Sequence, residues 1–598
     1  DEDELGISTT DGFYIYSISK DSFRKIDVTS VEYYYIDKKG FCWMIQSSEN
    51  KVVRVDTKTL ETKVYNFATT HYVERGDKRR GRSFAFEDKN GNLWIMISRL
   101  GMYFYNAEED KLEPYLLNDS DPDSYFVPFV RGRLFDSQKN LWFTSDDGVT
   151  KIIFLPDFFN FIEMDKEQDI RSFLCDGQNR LWMSSKAEYI RMYDKKLKLN
   201  GYLSKNGSWG NQKTSFDAAV YSMLQDKDGK IWLGTRFDGL YVLEPAGNDR
   251  YKVTNYKYNE DDVYSLSHNA VYSIFQDSKN RIWVATFGGG LNLVEKDEKG
   301  AVRFINYNNK LKNYPMDKAL KIRSMNETAD GVLMLGTTNG LVTYSSAFEH
   351  PEEVKFYYNS HRENDDKSLN SNDIMHVYSD SVIGTCLMAF SGGINRVVSS
   401  DLLDEHIEFE HYTTANGLLS NLVKSMIRDN QGDYWIIMDN GIAQFNYRHG
   451  NFTNYHSDLF HANLKFSEAI PLLYNDCLLL GTNKGLLELF PQKLHRDKNV
   501  PKILFTDFRV ESKPWEQNVN YVDTLFLNSD QRNISFRFCG IDYIGAQYIQ
   551  YAYRLKGLED EWNEVENSRS ASYMNLPAGT YVLEIKSTNS DGVWMDNI

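Results

Sequence analysis

Cysteine is scarce in this chain. The five in 598 residues (Cys42, Cys175, Cys386, Cys477 and Cys539) are far apart and show no metal-like pairing. An odd count excludes complete intrachain pairing, and three of the five sit inside apolar strand-like runs, so buried free thiols are expected. Secreted chains of this size need no disulfide scaffold, so the count leaves the compartment open. Proline is scarce too, at 12, and with 41% hydrophobic residues this argues against long disorder. No apolar run reaches the ~20 residues of a membrane helix, and no signal peptide opens the chain. Positive charge is in deficit, 68 Lys and Arg against 85 Asp and Glu, for a net −17. That sign repels phosphate backbones, and no basic stripe interleaved with aromatics is present, so no direct nucleic-acid contact is expected. A small anionic ligand in a locally basic pocket stays compatible with the overall charge.

Aromatic residues are abundant: 39 Tyr, 35 Phe and 11 Trp. Much of this supply recurs in one phrase, seen in "GKIWLGTRFDGLYVLEP" (Gly229–Pro245) and again in "NRIWVATFGGGLNLVEK" (Asn280–Lys296). Its consensus is V-x-S-[IM]-x-x-D-x-x-G-x-[IL]-W-[LVI]-[GA]-T-x-x-G-[GL]-L. Copies carry Trp43, Trp94, Trp142, Trp182, Trp232, Trp283 and Trp435, while Met334, Cys386 and Leu479 replace the Trp in three others. The opening "ELGISTTDGFYIYS" is the tail of one more, giving eleven units spaced 39 to 52 residues apart. Such a period belongs to repeats that must stack to bury their faces. Within a unit the period is two: "AVYSIFQD", "IWVAT", "LNLVEK" and "VRFINY" are four short strands joined by turns. Four-stranded units of this length are propeller blades. The Trp then fills the wedge between blades, and the Gly-rich turns are tight hairpins without the following helix of a phosphate site.

An ordinary ring holds four to eight blades, so eleven units divide. Residues 1–154 are expected to be an incomplete N-terminal propeller of about four blades, with earlier blades upstream. Residues 155–500 are expected to form a seven-bladed propeller. From Pro501 the pattern changes to strands with polar connectors, and 501–598 reads as an Ig-like β-sandwich truncated at its C-terminus. The fold class is thus all-β: tandem β-propellers followed by a β-sandwich.

"YAYRLKGLEDEWNE" and "MNLPAGTYVLEIKSTNSDGVW" resemble the small sandwich that follows the propellers in sensors of gut Bacteroidetes, and the phrase around Trp232 and Trp283 resembles their regulatory propeller repeats. The resemblance, to the periplasmic sensor regions of hybrid two-component systems, covers essentially the whole chain. It implies two seven-bladed propellers before the sandwich, then a membrane helix, histidine kinase and response regulator. It further implies an oligosaccharide ligand from glycan breakdown, homodimerisation, membrane anchoring through segments absent from this chain, and control of polysaccharide-utilisation genes. The chain departs from the pattern in having eleven units where the family has fourteen, and in ending inside the sandwich.

No catalytic constellation, cofactor motif or metal cluster emerges. The run from His406 to His411 lacks helical H-E-x-x-H spacing, and the Asp residues of "EDKNGN", "QDKDGK" and "RDNQGD" all fall at one hairpin, where turn formation explains them. Acidic pairs could mimic a glycosidase dyad, so a propeller hydrolase or lyase stays open, as does a protein-interaction scaffold. Recognition is expected on loops outside the framework strands. In "LSKNGSWGNQKTSFD", Trp209 could stack on a sugar ring with Asn211 and Lys213 donating hydrogen bonds, or could fold back onto the rim. Arg236, Phe237, Asp238 and Phe287 lie in the Gly-rich turns of neighbouring blades. In the N-terminal propeller, "HYVERGDKRRGRS" offers Tyr72, Arg75, Arg79 and Arg80 to an acidic sugar, or forms a solvated surface.

Overall fold

The computed structural model describes residues 4–67, 81–97, 101–114, 130–145, 148–154, 158–164, 169–247, 250–448, 450–460, 463–494, 499–546, 549–565, 569–590 and 592–596. The architecture grows from one turn. Asp277 Oδ1 accepts the backbone N–H of Lys279 at 3.0 Å and of Arg281 at 2.8 Å, folding the chain back on itself. Its other oxygen accepts the indole N–H of Trp283 at 2.9 Å, so the same carboxylate that makes the turn fixes the ring on the second strand. The Asp-to-Trp bond, six residues long, recurs at Asp37–Trp43, Asp88–Trp94, Asp136–Trp142, Asp176–Trp182, Asp226–Trp232 and Asp429–Trp435 at 2.7–2.9 Å. These carboxylates are committed to protein donors, which is the turn-forming role their spacing predicts. In the blade with Cys386 in place of Trp, Asp380 Oδ2 instead accepts from the hydroxyls of Tyr434 at 2.9 Å and Tyr378 at 3.1 Å.

Between the turns run four antiparallel strands, here Val271–Gln276, Ile282–Thr286, Leu291–Lys296 and Val302–Ile305, paired in chain order. Ile282–Thr286 is buried along its whole length, because both faces of an inner strand meet neighbouring blades. Trp283 packs with Leu333, Leu335 and Val342 of the next blade, its ring 5.3 Å from that of Tyr344.

The chain divides into two compact units, the larger comprising 157–500, 528–535 and 548–598. Seven propeller sheets lie in it. Six are built from consecutive strands; in the seventh, Phe159–Glu163 pairs antiparallel with Gly485–Leu489. The first strand of the ring thus completes the last blade, and Asn160 donates to Glu488 across 328 positions at 2.7 Å. Gly485 permits this approach: at φ +156°, an added Cβ would stand 2.2 Å from the carbonyl oxygen of Ile162. Gly485→Ala is therefore expected to cost about 1–3 kcal/mol, read as a lower denaturant midpoint. The rest of the unit includes a three-stranded sheet of Tyr551–Lys556, Asn563–Val565 and Val582–Ser587. There Tyr573 donates to Glu559 at 2.6 Å.

The smaller unit, residues 1–156, 501–527 and 536–547, holds four propeller sheets, two of four strands and two of three among the described residues. Asp110 ties two of its blades, accepting from Arg54 (2.7 Å), Lys63 (2.6 Å), Tyr65 (2.8 Å) and Tyr105 (2.7 Å). Lys63 first, then the tyrosines and Arg54, hold its carboxyl well below the ordinary range against the cost of burial. The last sheet packs on Tyr543, whose ring meets Trp142 edge-on at 6.0 Å. The residues after Pro501, which build the sandwich, therefore contribute to both units.

A buried histidine adds to the dependence of stability on pH. His376, 7% exposed on an innermost strand, accepts the backbone N–H of Met426 at 3.3 Å, and burial pulls its imidazole down to about 4. The unfolded chain binds a proton near pH 6.5 and the folded one does not. The stability this supplies is complete above about pH 6.5 and lost as pH falls towards 4. His376→Asn should shrink the difference in unfolding free energy between pH 7.5 and 4.5 by about 2–3 kcal/mol, measurable by urea titration at both pH values.

Candidate functional site

The framework side chains are committed to packing, so the site must come from residues the framework re-aims. Six innermost strands of the seven-bladed ring slip register at the same point: between Ile170 and Ser172, Val220 and Ser222, Val271 and Ser273, Ile322 and Ser324, Ile374 and His376, and Val423 and Ser425. A β-bulge leaves one residue unpaired and turns its side chain out of the ladder. The residues so turned are Arg171, Tyr221, Tyr272, Arg323, Met375 and Lys424. Innermost strands adjoin round the ring, so these six are gathered at one mouth. At five of the six bulges the first residue of the following turn is tied beside it, as Arg236 N–H donates to Ala219 O (2.9 Å), Phe287 N–H to Ala270 O (2.8 Å) and Phe390 N–H to Asp373 O (2.8 Å).

Aromatic rings adjoin one another through part of this mouth. Tyr221 and Tyr272 have centroids 4.8 Å apart at a 58° tilt, and Tyr272 stacks on Phe287 at 4.4 Å and 14°. Cations flank the stack. The Arg171 guanidinium lies 4.3 Å over Tyr221 and 5.8 Å from Tyr272; Lys321 and Arg323 each sit 5.4 Å from the centre of Phe287. Burial raises the Tyr272 hydroxyl above its ordinary range, with Tyr221 adding to this and Arg171 and Arg236 opposing it, so the phenol stays protonated and able to donate. Arg171 pairs with Glu468 at 3.2 Å, yet its Nε is buried without a partner. Arg323 holds Asp373 through two bonds of 2.8 and 3.1 Å, and Lys424 holds Asp439 at 2.7 Å. Flat apolar faces beside fixed donors suit a ligand that is apolar on its faces and polar at its edge.

Of the residues singled out from sequence, Arg236 and Phe287 come together here around Tyr272. Phe237 stands at the turn tip, 69% exposed, under the Arg236 guanidinium at 4.8 Å. Asp238 is occupied by the framework: it accepts from Tyr241, Lys257 and Lys205, and although burial opposes its charge, these partners, Lys257 first, bring the carboxyl to about 2. Trp209 is not at this mouth. It forms a short fifth strand beside Leu203, half-buried, with its ring edge-on to Trp182 at 4.8 Å; that is the folded-back alternative. Asn211 is exposed, as is Lys213, whose ammonium lies 5.1 Å over Tyr189. Tyr72, Arg75, Arg79 and Arg80 lie outside the described residues.

Sequence reading missed the bulged residues. Their signal was present at x of V-x-S, where a β-branched residue precedes and, His376 excepted, a Ser follows, while x is Arg, Tyr, Met or Lys. A separate cavity of about 1130 Å³ lies in the same unit, between outer strands of the ring and the three-stranded sheet, with Arg428, Tyr447, Asn454, Tyr551 and Trp594 among its lining. It adjoins no bulge and marks the joint between ring and sheet.

The chain matches two families: Two component regulator propeller at residues 215–237 and 265–288, and Y_Y_Y domain at 542–598. It is 23% identical over 482 residues to histidine kinase P4 of Formosa agariphila, an alignment covering 78% of this chain and 30% of that protein. The chain thus spans less than a third of that relative's length. Among solved structures, the extracellular domain described as that of a hybrid two component system from B. thetaiotaomicron superposes with a TM-score of 0.65 at 18% identity, covering all of this chain and 76% of the other, which shows the shared fold. PorZ of Porphyromonas gingivalis, at 13% identity and 0.39 over 99% of this chain and 79% of that one, is too distant to inform the site. This chain is therefore similar to Two component regulator propeller repeats followed by a Y_Y_Y domain, and it shares its fold with the B. thetaiotaomicron extracellular domain.

Proposed function

We propose that this chain is the extracellular sensor region of a two-component system and binds an oligosaccharide released in glycan breakdown at the mouth of its seven-bladed ring. The observation that carries the reading is the Tyr272–Phe287 stack, with Tyr221 tilted beside it and guanidinium and ammonium groups over the outer rings. A pyranose presents C–H groups on its faces and hydroxyls round its rim, and that pattern is complementary. Binding would then act through the C-terminal sandwich on a histidine kinase in the rest of the protein, on the periplasmic side of the inner membrane, as a homodimer, to control polysaccharide-utilisation genes.

The test is isothermal titration of the whole chain against a panel of oligosaccharides, with chromatography of the sugar afterwards and light scattering of the complex. Saturable heat with the glycan unchanged supports sensing. Cleavage of the glycan would make the chain an enzyme, and silence across the panel would turn attention to protein partners. A mass that stays monomeric with ligand bound would remove homodimerisation of this region from the proposal.

A further inference from the structure

Charge at the mouth is unlike charge elsewhere on the chain. Overall the protein carries −17, yet cations outnumber carboxylates round the bulges. Each carboxylate there is already engaged: Asp169 with Lys186 at 2.9 Å, Glu468 with Arg171 at 3.2 Å, Asp373 with Arg323 at 2.8 Å and Asp439 with Lys424 at 2.7 Å. Arg236 and Lys321 are left over. Both are exposed, and neither has a carboxylate in ion-pair range among the described residues. They are positioned against successive members of one stack, Arg236 beside Tyr272 and Lys321 5.4 Å from the centre of Phe287.

We infer that the saccharide recognised at this mouth is anionic, its ring carboxylate or sulfate ester held between Arg236 and Lys321 while the ring lies on the Tyr272–Phe287 stack. This rests on the saccharide reading above and narrows it to a charge class. Two uncompensated cations in a strongly acidic protein raise the local concentration of an anion and repel none of the ligand's hydroxyls. Guanidinium supplies a planar fork to carboxylate or sulfate, and ammonium adds a point charge. Contact with the ring faces does not compete, since a cation over an aromatic face keeps outward N–H donors. The buried unpartnered Nε of Arg171 adds a further donor at the inner end of the same stack.

The experiment compares trimers of galacturonic acid and of sulfated galactose with uncharged galactose and glucose trimers, and inorganic sulfate alone, at 50 and 500 mM NaCl. Expected is binding of at least one acidic trimer, tenfold or more tighter than any neutral one and weakened at least tenfold by the higher salt. Arg236→Gln with Lys321→Gln should weaken that acidic trimer tenfold or more and flatten its salt dependence, with an unchanged unfolding midpoint because both side chains are exposed. The galacturonate and sulfate arms separate the two sources of charge. Neutral trimers binding as tightly as acidic ones, or an acidic trimer indifferent to the double substitution, would overturn the inference and leave the saccharide reading standing. Inorganic sulfate matching the acidic trimers would overturn the saccharide reading instead. Silence from every trimer overturns both.

Discussion

Trp283→Ala should destabilise the seven-bladed ring by about 3–5 kcal/mol, seen as a large drop in the denaturant midpoint with the slope retained. The ring is fully buried, it packs on Leu333, Leu335 and Tyr344 of the next blade, and its removal leaves a cavity in a wall shared by two blades. Trp283→Phe separates packing from hydrogen bonding. It keeps most of the apolar volume but withdraws the donor from Asp277, which retains Arg281 Nε at 2.6 Å and two backbone N–H groups. The cost should then fall to about 1–2 kcal/mol. Equal losses for the two variants would mean that the hydrogen bond, and not the wedge, is what the blade needs. Phe added to an Asp277→Asn background should cost less than in the native protein, because the two residues act as one unit.

Tyr272→Ala should weaken saccharide binding by at least tenfold, about 1.5–3 kcal/mol, while leaving the fold intact. Tyr272 forms the stack with Phe287 and has the tilted ring of Tyr221 on its other side, so its loss removes one of the two parallel faces. It sits at a bulge outside the ladder and is only half-buried, which keeps the framework cost small. Tyr272→Phe keeps the face and removes the hydroxyl; affinity close to native would assign the interaction to stacking, and a loss equal to that of alanine would assign it to the phenol. An alanine variant that binds as tightly as the native chain would place the ligand elsewhere, with Trp209 the next side chain to alter.

Trp209 shows how a correct signal can be misplaced. It stands outside the repeated phrase in a Gly-flanked insert, which reads as an added aromatic surface. Its return to Leu203 is a local turn, in which Ser204 N–H donates to Ser208 O at 3.0 Å, but the Trp182 ring that it meets edge-on stands on another strand of the blade, which the insert itself does not reveal. Arg236 and Phe287 were legible because they occupy equivalent turn positions in neighbouring blades, and equivalent positions in a ring face the same axis.

What the sequence determined by itself is local and repetitive. A carboxylate, its turn amides and an indole lie within six residues of one another, so the hydrogen bonds that start each blade need no distant partner. Alternation of apolar and polar residues then makes each strand, and counting the phrase counts the blades. Tertiary structure decided the rest. Closure by Phe159–Glu163 on Gly485–Leu489 joins segments more than 300 positions apart, a pairing that many β-strands here could mimic on hydrophobicity alone. Only once the ring is closed do the six bulges point to a common centre, bringing Arg171, Tyr221, Tyr272 and Arg323 from separate blades into one site. The physical reason is that a bulge changes the direction of one side chain by a local slip, whereas what that side chain then meets is set by the curvature of the whole ring.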